Sequence, residues 1–136
     1  MGSGNTCEPA MRAIDTNVLV RLLARDEPRQ LASAEAFVQT GAWVSLLVLM
    51  ETVWVLDTVY GIKPGPLADG VEMLLDHMQI VVQDADMVKV ALEQYRKHPE
   101  LGFSDCLILE VACAAGHVPL GTFDRRLAKL KGSQKL

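Results

Sequence analysis

The sequence predicts an α/β domain, a three-layer sandwich of helices around a central, mainly parallel sheet of four to five strands. Three observations lead there. Short apolar runs at Met11–Ile14, Ala42–Val44, Ile80–Val82 and Val118–Phe123 read as strands, and helical patterns separate them. Strands alternating with helices pair in parallel, because each crossover helix returns the chain to the same end of the sheet. Half of the 136 residues are apolar, which is rich for one small domain and suggests a buried sheet, a self-association surface, or both.

Along the chain, Met11–Ile14 stops at Asp15-Thr16-Asn17, and a helix follows with Val18, Leu19, Leu22 and Leu23 inward and Arg21 and Arg25 outward. Asp26-Glu27-Pro28 resets the chain, and Pro28 suits a first helical turn. The next helix runs to about Thr40, its core face Leu31, Ala34, Phe37 and Val38, and Gly41 ends it. After the second strand, Ser45 can cap a long apolar helix that Gly61 closes. Gly61–Pro66, with two glycines and two prolines, is the clearest loop. A helix from about Leu67 to His77 precedes the third strand. Asp84 can cap Ala85–Lys97, whose apolar positions include Val88, Ala91, Leu92 and Tyr95. His98–Gly102 is a turn, Ser104 caps a helix from Asp105 to Ala115, and Gly116 closes it. A short basic helix follows the fourth strand.

Residues 11–136 read as one domain, whereas residues 1–10 are small and polar and read as a tag remnant or disordered extension. No apolar run reaches the roughly 18 residues of a membrane helix. Cys106 and Cys113 on one helix would lie about 10 Å apart along its axis, too far for a disulfide, so reduced thiols and a cytoplasmic location are expected. A net charge of −4 argues against nonspecific coating of nucleic acid. Yet Arg125, Arg126, Lys129, Lys131 and Lys135 follow one another with no acid between them, and form either a solvated surface or an RNA contact.

Glu51 stands out. On a helix it has Leu47 and Val48 one turn before it and Trp54 and Val55 one turn after, with no Lys or Arg within ten residues. A carboxylate in the middle of an apolar face needs a counter-charge or a cation; at the edge of that face it needs only water. Asp15 and Asp124 follow the first and last strands, Asp105 opens a helix, and Glu51 lies two turns into the helix after strand two. All four then share the rim where open α/β sheets bind ligands. Singly, the three aspartates are ordinary helix caps. Together, four carboxylates repel unless a cation sits among them, and hard oxygen ligands select Mg²⁺ or Mn²⁺. His77, His98 and His117 show no metal spacing, and no Gly-rich phosphate loop or Ser–His–Asp set is present. Activation of water for phosphodiester cleavage is the chemistry left.

Ala13-Ile-Asp15-Thr-Asn17-Val-Leu-Val, Leu-Met-Glu51-Thr-Val-Trp, Phe103-Ser-Asp105-Cys-Leu-Ile and Thr122-Phe-Asp124-Arg resemble PIN-domain ribonucleases, and more narrowly the VapC toxins of toxin–antitoxin pairs. The resemblance runs from Met11 to about Lys131. It implies an Mg²⁺-dependent endoribonuclease in which Asp15, Glu51, Asp105 and Asp124 bind the metal and activate water, the first and third as direct ligands. By position it makes Asn17 and Thr122 supporting residues. It further implies a structured RNA substrate such as tRNA, a cognate VapB-type antitoxin that plugs the site, and a homodimer. Arg125, Arg126 and Lys129 are the candidate RNA contacts, and no membrane is involved.

Two other readings compete. A PIN-like scaffold would bind RNA or a partner without cleaving it. A phosphoacceptor signalling domain would need adjacent acids after strand one, an aspartate directly after a middle strand, and a lysine after the last. Here Gln83 follows Val82, and Asp124 stands where the lysine belongs.

Overall fold

A computed structural model of the chain describes residues 11–136; the proposed extension at 1–10 lies outside the described residues. The chain runs β1 (Arg12–Ala13), α1 (Thr16–Ala24), α2 (Pro28–Val38), β2 (Ala42–Val44), α3 (Leu46–Thr58), α4 (Pro64–Asp76), β3 (Ile80–Val82), α5 (Ala85–Lys97), α6 (Phe103–Ala114), β4 (Leu120–Thr122) and β5 (Ser133–Lys135). Short 3₁₀ turns occupy Pro99–Leu101 and Leu127–Lys129. Every strand pairing is parallel, as the alternation of strands and helices predicts.

The five strands form two ladders rather than one continuous sheet. The order is β1-β2-β3 in the first, and β4 pairs with β5 in the second. β1 has two ladder residues, and Pro119 ahead of β4 has no N–H to donate, so little backbone is left to join the two. β5 was missed in the sequence, where the basic tail reads as a helix. Ser133-Gln-Lys135 has no apolar alternation, and its strand state comes from pairing with β4.

Registers explain the burial. Ala42, Val44, Ile80 and Val82 point into the core, whereas the alternate row Ala13, Trp43 and Val81 is half-buried to exposed. Leu19, Leu49, Val88 and Leu107 are fully enclosed, and Phe103 packs edge-to-face on Tyr95 with ring centroids 5.9 Å apart.

Several expected boundaries shift for identifiable reasons. Pro64-Gly-Pro66 is not loop but the first turn of α4, with Pro64 where a missing N–H costs nothing. α6 starts at Phe103 after Gly102, whose φ of +81° suits glycine, so Ser104 lies inside the helix and does not cap it. Asp84 does precede α5, but at φ +48° its side chain makes no cap bond. Arg21 is not outward. Its side chain is only 22% exposed and its guanidinium sits 2.8 Å from Asp26, while Val20 takes a core position instead.

Candidate active site

Asp15 ends β1 and caps α1, its carboxylate accepting a hydrogen bond from the Val18 N–H at 3.2 Å. The next residue, Thr16, donates its hydroxyl to Glu51 on α3. Glu51 is held there because Ser45 caps α3 through the Val48 N–H at 3.1 Å, and Gln83 Oε1, just past β3, accepts from the Leu46 N–H at 2.9 Å. The expectation that Glu51 lies in the middle of a buried face is corrected. Glu51 is exposed, and so are Leu47 and Trp54 on either side of it. The buried face of α3 is Leu49, Thr52, Val53 and Leu56, on nearly the opposite side of the helix from Glu51. α3 is apolar nearly all round, so sequence could not tell which side faced inward.

Asp105 and Asp124 form the electrostatic centre. Asp105 lies in the first turn of α6 and is half-buried. Burial first, then the Asp124 charge, raises its carboxyl above the ordinary value, with Arg126 opposing. Asp124 goes the other way. Its Oδ1 accepts from the N–H groups of Arg126 at 2.8 Å and Leu127 at 3.2 Å, which lowers its carboxyl. The pair is thus split: Asp124 stays ionised, and Asp105 binds a proton more readily. Thr122 Oγ1 accepts from the Asp124 N–H at 3.0 Å and so fixes the turn after β4. Arg126 Nε stands 3.9 Å from Asp124 Oδ1. Next to Asp105, burial above all and then the Asp105 charge push the Cys106 thiol up to about 11. No thiolate nucleophile therefore forms there near neutral pH.

Of the predicted residues, the structure places Glu51 on Thr16, the neighbour of Asp15, and Asp105 with Asp124, Thr122 and Arg126. Among the described residues, no three His, Cys, Asp or Glu side chains approach closely enough to hold one metal ion directly. The donor chemistry still fits a hard cation, since Mg²⁺ keeps most of its waters and commonly takes one or two carboxylates. Two like charges at Asp105 and Asp124 meet that requirement; a cage of four acids is not what the side chains form. Asn17 is exposed on α1, and Arg125 and Lys129 are exposed in the segment after Asp124. Sequence missed Thr16, which is 35 residues from its partner Glu51, and missed Arg126 as a neighbour of the acids. Adjacency to Asp15 and Asp124 was the only available signal for either.

A profile of the PIN domain matches residues 13–133, a span that includes all four acids. No curated protein and no solved structure matches the chain. PIN domains are typically nucleases that use divalent metals and act on nucleic acid. With parallel strands, crossover helices and acids at the ends of β1 and β4, the chain belongs to the PIN-domain family.

Proposed function

We propose that this protein is an Mg²⁺-dependent endoribonuclease, Mn²⁺ being an alternative, and the toxin of a VapC-type pair. The observation that carries this is the Asp105–Asp124 pair, two carboxylates of opposite pKa displacement whose repulsion a cation would relieve. Asp15, Glu51, Asp105 and Asp124 would hold the ion, directly or through its waters. When bound, Mg²⁺ supplies charge neutralisation and a lowered pKa for water. Asp105, half-buried beside Asp124, would accept the proton that water loses. Asp124, kept ionised by two backbone N–H groups, orients that water. Thr16 fixes the Glu51 carboxylate, and Thr122 fixes the Asp124 backbone. Arg125, Arg126 and Lys129 face RNA phosphates, although Arg126 shares its charge with Asp124. The partner readings follow from the same family: a structured RNA such as tRNA, a VapB-type antitoxin over the acids, and a homodimer.

Asp105→Asn should reduce Mg²⁺-dependent cleavage of total cellular RNA by more than the ~100-fold that outer-shell substitutions at metal sites reach. Its circular dichroism should stay native. Cleavage by this variant at the wild-type rate removes the assignment. The spacing of the acids is the one observation that favours a non-cleaving scaffold, and RNA left intact by wild type at saturating Mg²⁺ and Mn²⁺ would select that reading.

A further inference from the structure

Next to Asp15 in the chain, α1 and α2 enclose a groove of about 450 Å³ lined by Asn17, Val18, Arg21, Arg29, Ser33 and Phe37, with Gln30 and Ala34. Its lining includes two arginines and no acid, in a chain whose net charge is −4. Asn17 in its lining is two residues from Asp15. Arg12 stands over the ring of Phe37, a lining residue, its guanidinium carbon 3.7 Å from the ring centroid and its Nη2 donating to the Phe37 carbonyl at 3.2 Å. Arg12 is exposed, and among the described residues neither it nor Arg29 forms an ion pair. Arg21 is paired with Asp26, but its buried Nε has no partner.

We propose that this groove is the track along which an unpaired RNA strand reaches the acids, an inference that rests on the nuclease reading above. Three features point to that occupant. The guanidinium groups of Arg12 and Arg29, in no ion pair among the described residues, complement phosphate, which arginine binds through paired N–H donors. The guanidinium plane held on Phe37 offers a platform of the kind on which unstacked bases sit. Arg29, the second residue of α2, is exposed in the lining of the groove, where its guanidinium can reach an anion outside the helix. The basic tail is a weaker candidate for this task, because Arg126 is already beside Asp124.

The test is binding of a labelled, mixed-sequence single-stranded RNA in EDTA, so that the probe stays intact. Arg29→Gln should weaken affinity about tenfold, the scale of one hydrogen-bonded charge contact. Arg12→Gln/Arg29→Gln should also flatten the dependence of log affinity on log salt by about 1.4, or ~0.7 per phosphate contact. Arg25→Gln removes the same charge outside the groove, where Arg25 pairs with Glu35, and should leave affinity unchanged. If the double variant fails to fold, Arg29→Gln alone decides, since Arg29 is exposed. Wild-type affinity and slope in the groove variants overturn the track and leave the groove to a protein partner; an equal loss in Arg25→Gln reduces the effect to net charge and also overturns it. Cleavage is scored separately with Mg²⁺, so a groove that binds RNA in a protein that cuts none sinks only the nuclease reading.

Discussion

Asp105 carries the one acidic shift in the site that burial dominates, and the sign of that shift makes a stability prediction. Its folded-state carboxyl is raised above the ordinary value, so the folded protein holds more protons than the unfolded chain in mildly acid solution. Stability from this group is fully present below about pH 3.8, the unfolded value, and is lost as pH rises through the raised folded value. At pH 7 without metal, an ionised Asp105 opposes folding. Asp105→Asn should therefore melt higher than wild type in EDTA at pH 7, and the difference should vanish as pH falls below the unfolded value. Melts that coincide at both pH values would show that Asp105 is not strained by its surroundings. Glu51 was the residue that sequence singled out for this role. Its exposure moves the argument to Asp105, whose place in the first turn of α6 gave it an ordinary cap explanation in the sequence.

Elements are set by their ends as much as by their faces. Ser45 accepts from the Val48 N–H, and losing that cap should cost about 1 kcal/mol. Ser104 looks alike in sequence but lies within α6, and it has no cap bond to lose. Ser45→Ala should lower the urea midpoint accordingly, while Ser104→Ala should stay within about 0.5 kcal/mol of wild type. Equal destabilisation by the two would mean that the α6 start is misplaced by a residue. The helix expectations that held, such as Ala85–Lys97 with Val88, Ala91, Leu92 and Tyr95 buried, rest on a regular apolar stripe. The ones that shifted rest on prolines and serines, which serve equally well in loops and in first turns.

For the whole molecule, the weak point is the second ladder. β5 pairs with β4 in the register Leu120↔Ser133, Gly121↔Gln134 and Thr122↔Lys135, and the Leu136 N–H returns to the Thr122 carbonyl at 2.9 Å. Thr122 in turn fixes the Asp124 backbone. Deleting 133–136 leaves the β1-β2-β3 ladder untouched but removes the pairing partner of β4. Amide exchange protection should fall at β4, and cleavage should fall by up to about 100-fold, the scale of a small misplacement of reacting groups. Unchanged protection and activity would show that β4 is held by side-chain packing alone. Among the described residues no helix is long and apolar enough to cross a membrane, which agrees with the sequence.

Sequence by itself determined the α/β class, four of the five strands of the described residues, the order of the helices and the family, because these follow from local periodicity and from motifs a few residues long. The runs Ala42–Val44, Ile80–Val82 and Ala85–Lys97 carry their own signal and need no distant partner to declare it. Tertiary structure alone decided which side of α3 is buried, that Thr16 meets Glu51, that Arg126 stands beside the acids, and that a polar tail becomes β5. In each case the deciding energy comes from a contact distant in sequence or from a burial that no local pattern encodes. α3 shows the reason most plainly: a helix apolar on every side has no amphipathic stripe to orient it, so only its neighbours fix which residues face the core and which flank Glu51.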